Sequence, residues 1–350
     1  MQPSMKVTST ILIATLIAIA IPACNKPKHD APASEEVAFS IPANFPATEY
    51  NMAENPVTTA GFKLGRKLFY DVRLSRDNST SCGSCHIQTS AFTHHGHQFS
   101  HGIDNKLGTR NSPAVMNMAW NKSFMWDGGV IHLDLFPTSP ITNPVEMDET
   151  VANVLEKLKA DKDYPAMFKA AFGTEDITTA STFKAMSQFM NMLVSANSRY
   201  DKWIRNEGGQ LNADEIAGYN LFKAKCSSCH STDLFTDGDF HNNGLYASYT
   251  DKGRAKVTED PTDDGKFKTP SLRNVEKTPP YMHNGSKASL ESVLQHYANG
   301  VKASATLDPK LQENGNIGIP LTDVEQAQII AFLKTLTDDE FIRDRRFSEQ

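Results

Sequence analysis

The chain has 350 residues, 39% apolar and 22% charged, which allows two packed domains and excludes wholesale disorder. Thirty-five basic and 41 acidic side chains give a formal net charge of −6, without the concentrated basic face that nucleic acid requires. Beyond the first two dozen residues no apolar run approaches the roughly 20 needed to cross a bilayer, and five cysteines are too few for a disulfide scaffold.

The amino terminus reads as an export address. Lys6 precedes an apolar run from Ile11 to Ile21, followed by small residues and Cys24. That is the layout of a secretory signal, and the run is short for a stable span. Ile21-Pro22-Ala23-Cys24 resembles a bacterial lipobox, although Pro22 is not the usual residue there. Residues 1–23 are therefore expected to be a lipoprotein signal peptide, with an ordinary signal peptide cut nearby as the alternative. A lipid on Cys24 would hold a periplasmic protein at a membrane surface without spanning it. Residues 24–43, rich in Pro, Ala, Ser and Glu, read as a flexible tether.

The first marked feature of the body is Cys82-Gly83-Ser84-Cys85-His86, and it returns as Cys226-Ser227-Ser228-Cys229-His230. Both are C-x-x-C-H, the signature of covalent c-type haem attachment. Two thiols three positions apart lie on one side of a helical turn and can add to the two vinyl groups of one haem edge. The next histidine then reaches the iron as proximal ligand. A four-cysteine zinc site would leave both histidines idle, and a redox dithiol would not be repeated after 144 residues. Two covalently bound haem c groups are expected.

The segments around the motifs read as helices and loops. Gly96 to Arg110, rich in Gly, reads as a loop. Val151 to Ala160 places Val151, Val154, Leu155 and Leu158 on one helical face, and Thr182 to Leu193 behaves similarly. Asn212 to Glu215 has the form of a helix start leading into the second motif. Thr232 to Pro270 reads as a second long loop, and Asp323 to Leu336 as a last helix. No strand period and no repeat besides the haem motifs stand out. The expected fold is all-α: two cytochrome-c-like haem domains with long connecting loops, at residues 44–205 and 206–340.

Further marked segments are Arg110-Asn111-Ser112-Pro113, Phe124-Met125-Trp126-Asp127-Gly128 and Pro140 to Met147, with Phe267 to Asn274 and Thr278 to Gly285 after the second motif. Together they resemble the bacterial di-haem cytochrome c peroxidases, a family that includes MauG. The resemblance implies a peroxide-binding haem on Cys82, Cys85 and His86 and an electron-transfer haem on Cys226, Cys229 and His230. It implies Glu146 as the distal acid–base residue, with Pro140 in the same pocket and Trp126 as a relay between the haems. Asn111 and the carbonyls of Thr278 and Pro280 match a calcium site. The resemblance also implies hydrogen peroxide as substrate, a small cytochrome c or copper protein as electron donor, and homodimers, which family members often form.

Three departures from the family pattern matter. Where the typical peroxidases carry a methionine ligand to the second haem, this chain has Tyr297, as MauG-like proteins do; His296, Met282 and an open site are the alternatives. A hard, anionic phenolate would lower the reduction potential of that haem. Phe136 replaces the usual glutamine and Gly129 a common arginine. The loop histidine that blocks the peroxide haem in many relatives has candidates in His94, His95, His97 and His101, of which His101 is preferred. The leading reading is peroxide reduction to water. The alternatives are MauG-like oxidation of a protein or organic substrate through a high-valent di-haem state, and a plain electron-transfer cytochrome.

Overall fold

The computed structural model describes Met1 and residues 37–350, so the expected signal peptide and Cys24 lie outside the described residues. The body starts inside the stretch read as a tether. Val37 is buried, and its N–H donates to Thr59 Oγ1. Helix α1 (Thr59–Phe69) is capped by the Thr58 hydroxyl, which accepts from the Gly61 N–H, and buries Phe62, Leu64, Leu68 and Phe69. Single turns follow at α2 (Cys82–Cys85) and α3 (Thr138–Thr142). The helices expected over 151–160 and 182–193 are α4 (Val151–Lys159) and α6 (Thr179–Met192), with α5 (Tyr164–Phe172) between them. Helix α7 (Arg199–Ile204) leads into the second half.

There α8 (Ala213–Lys225) begins at a capping box made by Asn212 and Glu215, the start that the sequence predicts, and runs into the second haem motif. The stretch read as one loop over 232–270 is less irregular than expected. It holds a two-residue antiparallel ribbon, β1 (Phe240–His241) with β2 (Phe267–Lys268), and the single turn α9 (Ala255–Thr258). Helix α10 (Leu290–Gln295) continues into a π-type turn over His296–Gly300, and α11 (Asp323–Lys334) closes the half.

The two halves are built alike. Helix α1 crosses α6 at Gly65, where a Cβ would lie 1.9 Å from the Ala185 carbonyl oxygen and 2.9 Å from Phe189 Cβ. Helix α8 crosses α11 at Gly218, where a Cβ would lie 1.9 Å from the Gln328 carbonyl oxygen and 3.0 Å from Phe332 Cβ. Only glycine permits either approach. The likeness extends beyond the helices and corrects the expectation that nothing but the haem motifs repeats. Ser112-Pro113, Asn117 and Phe124 to Gly128 recur as Thr269-Pro270, Asn274 and Tyr281 to Gly285, at a constant offset of 157 residues. Asn117 and Asn274 both take left-handed backbone (φ 53° and 56°), as do Met125 and Met282 (φ 68° and 73°). The bridge Phe124–Val130 is matched by Tyr281–Lys287.

Each half has its own apolar cluster. The first surrounds Phe69, Phe92 and Phe189; the second surrounds Phe222, Phe235 and Phe332. Phe341, Ile342 and Phe347, beyond the last helix, pack back on the first cluster. A fully buried ion pair joins the halves: the Arg273 guanidinium donates to both Asp201 carboxylate oxygens at 2.8 and 2.7 Å. The two left-handed asparagines meet at Ser195, Asn117 through its backbone and Asn274 through its hydroxyl.

Candidate active site

Both C-x-x-C-H motifs are folded for the same task. A capping box between Ser81 and Ser84 starts α2, which sets Cys82 and Cys85 on one turn with His86 at its end. His86 Nδ1 donates to the Phe92 carbonyl at 2.8 Å, and His230 Nδ1 to the Phe235 carbonyl at 3.0 Å. Phe92 and Phe235 are both left-handed (φ 59° and 55°), within the turns that fold back on the histidines. With Nδ1 protonated, Nε2 keeps its lone pair for a metal. Burial holds both imidazoles below their ordinary pKa, partly offset by those carbonyl bonds, so the ligating neutral form is favoured.

The thiols argue against the other readings of the motif. Burial pushes Cys82 and Cys226 up to about 12 and also raises Cys85, whereas a redox dithiol needs a depressed thiol pKa. Cys82 packs on the first apolar cluster and Cys226 on the second, so the pairs do not converge on a zinc site. The group expected at the second motif is a flat, largely apolar disc with two carboxylates, and the surroundings fit it. Cys226, Cys229 and His230 line a cavity of about 250 Å³ whose walls include Leu294, Ile329 and Leu333. Lys268 lines it too. It is half-buried, its ammonium donates to the Ser123 carbonyl at 2.6 Å, and desolvation drives its pKa down to about 8. A cation in that setting suits propionate carboxylates.

Glu146 lies by the first motif. Its charge helps to raise the Cys82 and Cys85 thiols, and burial raises its own pKa, partly offset by a 2.7 Å bond from Asn143 Nδ2 to Oε1. Asn143 also builds the turn that carries it, through bonds to the Val145 and Glu146 N–H groups. The half-buried Pro140 is adjacent, its carbonyl accepting from the Met147 N–H.

At the second motif, Tyr297 lines the cavity near Cys226 and Cys229. Burial pushes its phenol up to about 12, partly offset by a hydrogen bond with the Asn243 side chain. The neighbouring His296 is tied by Nε2 to the Asn243 carbonyl at 3.0 Å. Met282 also lines the cavity, and its sulfur accepts from Asn243 Nδ2 at 3.3 Å. Pro140 follows Phe124 by sixteen residues, as Tyr297 follows Tyr281. The first half thus has a side chain with no donor atom at the position where the second has a phenol.

Trp126 lines this cavity and an adjoining pocket of about 80 Å³, and its indole N–H donates to the Asn111 carbonyl at 2.8 Å. Phe136 packs on Phe124 and lines the smaller pocket. Gly129 donates its N–H to Asp127 Oδ1. Asn111, Thr278 and Pro280 all line the larger cavity. His101 is at the surface, its Nδ1 2.7 Å from Asn105 Oδ1. His94 is half-buried and lowered to about 4, chiefly by burial and then by its histidine neighbours. Sequence reasoning missed Lys268, Asn143 and Asn243. The 157-residue offset is a signal for the first, because it sets Lys268 against Asn111.

Comparison with known proteins agrees with this geometry. The family model for di-haem cytochrome c peroxidase matches residues 59–209, and that for cytochrome c matches residues 216–337. The chain is 35% identical over 319 residues to the methylamine utilization protein MauG of Methylorubrum extorquens, covering 87% of each. It is 34% identical over 289 residues to the cytochrome c551 peroxidase of Nitrosomonas europaea, covering 79% of this chain and 80% of the relative. A solved structure of a MauG-like protein associated with microbial copper homeostasis aligns with a TM-score of 0.80 at 35% identity, over 89% of this chain and 99% of that one. Two cytochrome-c-like domains, two c-type haems and action on peroxide come with membership, and this chain belongs to the family of di-haem cytochrome c peroxidases and MauG.

Proposed function

We propose that the chain reduces hydrogen peroxide to water at the first haem motif, with electrons entering through the second. The observation that carries this reading is Glu146, a half-buried carboxylate beside Cys82 and Cys85 whose pKa is raised by desolvation. Haem on each motif, held by Cys82, Cys85 and His86 and by Cys226, Cys229 and His230, supplies the redox chemistry. Glu146 takes the proton from one peroxide oxygen and delivers it to the other, which leaves as water; two electrons and two further protons complete the second water. Asn143 orients the carboxylate. Pro140 keeps the opposite position free of a ligand atom, and Trp126 relays electrons between the two sites. Asn111, Thr278 and Pro280 hold one calcium ion.

In this reading the haem domains are residues 44–205 and 206–340. The donor is a small cytochrome c or copper protein, and the chain is periplasmic, anchored through Cys24 and able to form homodimers. Among the described residues no helix is long and apolar enough to cross a membrane. A second reading has a specific observation behind it. Tyr297, at the wall of the second cavity, favours oxidised iron, which suits MauG-like oxidation of a protein or organic substrate with peroxide as oxidant. The deciding experiment is peroxide turnover by the oxidised holoenzyme with reduced cytochrome c, with and without pre-reduction. Rapid turnover without pre-reduction supports an open first site; no turnover, with a long-lived high-valent spectrum, supports the second reading. No reaction with peroxide at all would leave an electron carrier.

A further inference from the structure

A file of aromatic rings leads from the wall of the second cavity to solvent. Trp126, Phe267, Met282 and His283 line that wall, and the His283 ring stacks on Phe267 with centroids 3.7 Å apart and planes 9° apart. Tyr249 stands behind them, its centroid 6.1 Å from that of Phe267 and 6.3 Å from that of His283. It is buried in a small apolar cluster with Leu245 and Phe267, against which Trp126 and Met282 pack. A Cβ on Gly265 would lie 2.3 Å from Tyr249 Cδ2, so the ring is pressed against backbone. Tyr246 comes next, edge-on with its centroid 5.6 Å from that of Tyr249, and it is 41% exposed. Among the described residues it is the one Phe, Tyr or Trp that is exposed.

The two phenols are placed for different work. Tyr249 donates its O–H to Asn242 Oδ1 at 2.8 Å and accepts from the Leu245 N–H at 3.0 Å. An amide oxygen accepts a hydrogen bond but does not take a proton, and Asn242 is itself buried, so oxidation of Tyr249 would strand its proton. Tyr246 accepts from Asn284 Nδ2 at 2.7 Å, and its ring reaches solvent, so its proton can pass to water.

We propose that Tyr246 is a surface oxidation site, linked to the haem pair through Tyr249, at which a small phenol is oxidised at the expense of peroxide. The inference rests on the reaction of the first haem site with peroxide. Tyr246 gives one electron inward through Tyr249 to the peroxide-oxidised haem pair and its proton to water. The Tyr246 phenoxyl then takes a hydrogen atom from the O–H of the substrate, which restores Tyr246 and releases a substrate phenoxyl. A phenol is the matched substrate because the O–H bond formed and the O–H bond broken are alike. Two such steps use both oxidising equivalents: one peroxide and two phenols give two waters and two phenoxyls. Tyr249, with its proton held by Asn242, serves as a bridge.

The test is spin trapping in the oxidised holoprotein, treated with peroxide and a nitroso spin trap without any reductant, and read by EPR and peptide mass spectrometry. An adduct on Tyr246 is expected, and Tyr246→Phe should abolish it. Tyr249→Leu keeps the cluster apolar and breaks the file. It should lower both the labelling of Tyr246 and the oxidation of guaiacol at least about tenfold, although Tyr246 stays exposed. Haem absorption, followed in the same samples, reports the reaction with peroxide separately. Haems that respond while Tyr246 stays unlabelled, or labelling undiminished in Tyr249→Leu, would overturn the inference and leave peroxide reduction standing. Haems that do not respond in the unaltered protein would overturn both.

Discussion

The two halves share one frame and differ where chemistry happens. Each crosses its first and last helices at a glycine, turns a phenylalanine carbonyl onto its haem-motif histidine, and passes through a left-handed asparagine to an aromatic–Met step. On that frame Pro140 stands opposite Tyr297, Trp126 opposite His283, and Asn111 opposite Lys268. The same offset sets Glu146 against Ala303, a methyl group that can carry no proton. The backbone positions that fix a haem's seat are held constant, while the residues that face the reacting side are free to diverge. Under the proposed function, the first copy leaves one haem face without a protein ligand and carries the proton on Glu146, and the second supplies the Tyr297 phenol.

The sharpest way to break this comparison is to remove the proton carrier. Glu146→Gln should lower peroxide reduction at least about 100-fold, roughly 2.7 kcal/mol of barrier, with both haems still bound. Turnover by the unaltered enzyme should fall as pH drops through the pKa of Glu146, which burial sets above the ordinary carboxylate value, because the base must be ionised to accept the first proton. The variant should lack that acidic limb. Near-normal turnover in steady-state assays would take the acid–base role from Glu146.

Removing the phenol is the matching experiment in the other half. Tyr297→Phe should change the absorption and EPR signature of the second haem only, and raise its potential by on the order of 100 mV, since an anionic oxygen ligand favours ferric iron. Burial holds the free phenol up to about 12, so only coordination can bring it into the anionic form near neutral pH. Spectra identical to those of the parent protein would mean that the ligand is elsewhere, with Met282 the next candidate on the cavity wall.

What was legible in the sequence follows from how local each signal is. Cys-x-x-Cys-His is set by covalent spacing within one turn, and the start of α8 by Asn212 and Glu215 three residues apart, so both could be read directly. Glu146 and Tyr297 came only through family resemblance, because a single Glu or Tyr in a loop carries no period. The duplication escaped because its constant elements are conformational: Asn117 and Asn274 share a left-handed backbone while the side chains between them and the next aromatic pair have changed. Lys268 reads as a surface residue by type, and only the fold shows it half-buried on a cavity wall. The return of Phe341, Ile342 and Phe347 to the first cluster is long-range and has no local mark.

The shared frame can be tested symmetrically. Gly65→Ala and Gly218→Ala each press a methyl group into a backbone carbonyl of the facing helix and should each cost about 2 kcal/mol of stability in denaturant unfolding. Similar losses would support equivalent crossings; a loss confined to one variant would separate them.

The smallest expected effect concerns Asn243, which has no role in the frame and acts only on the second site. Its side-chain hydrogen bond to Tyr297 lowers the phenol's pKa, opposing burial. Asn243→Ala removes a stabiliser of the phenolate worth about 1 kcal/mol, so the pH at which the phenolate-ligated spectrum develops should rise by somewhat less than one unit. The first haem should not respond, because the other bonds of Asn243 go to Met282, Leu245 and His296, away from the first motif's carbonyl turn and Glu146. A pH titration of the second haem's absorption that is superimposable with the parent's would show that Asn243 positions the loop rather than the phenol's charge. A shift in the first haem as well would show that the two sites are coupled through more than the shared wall at Trp126.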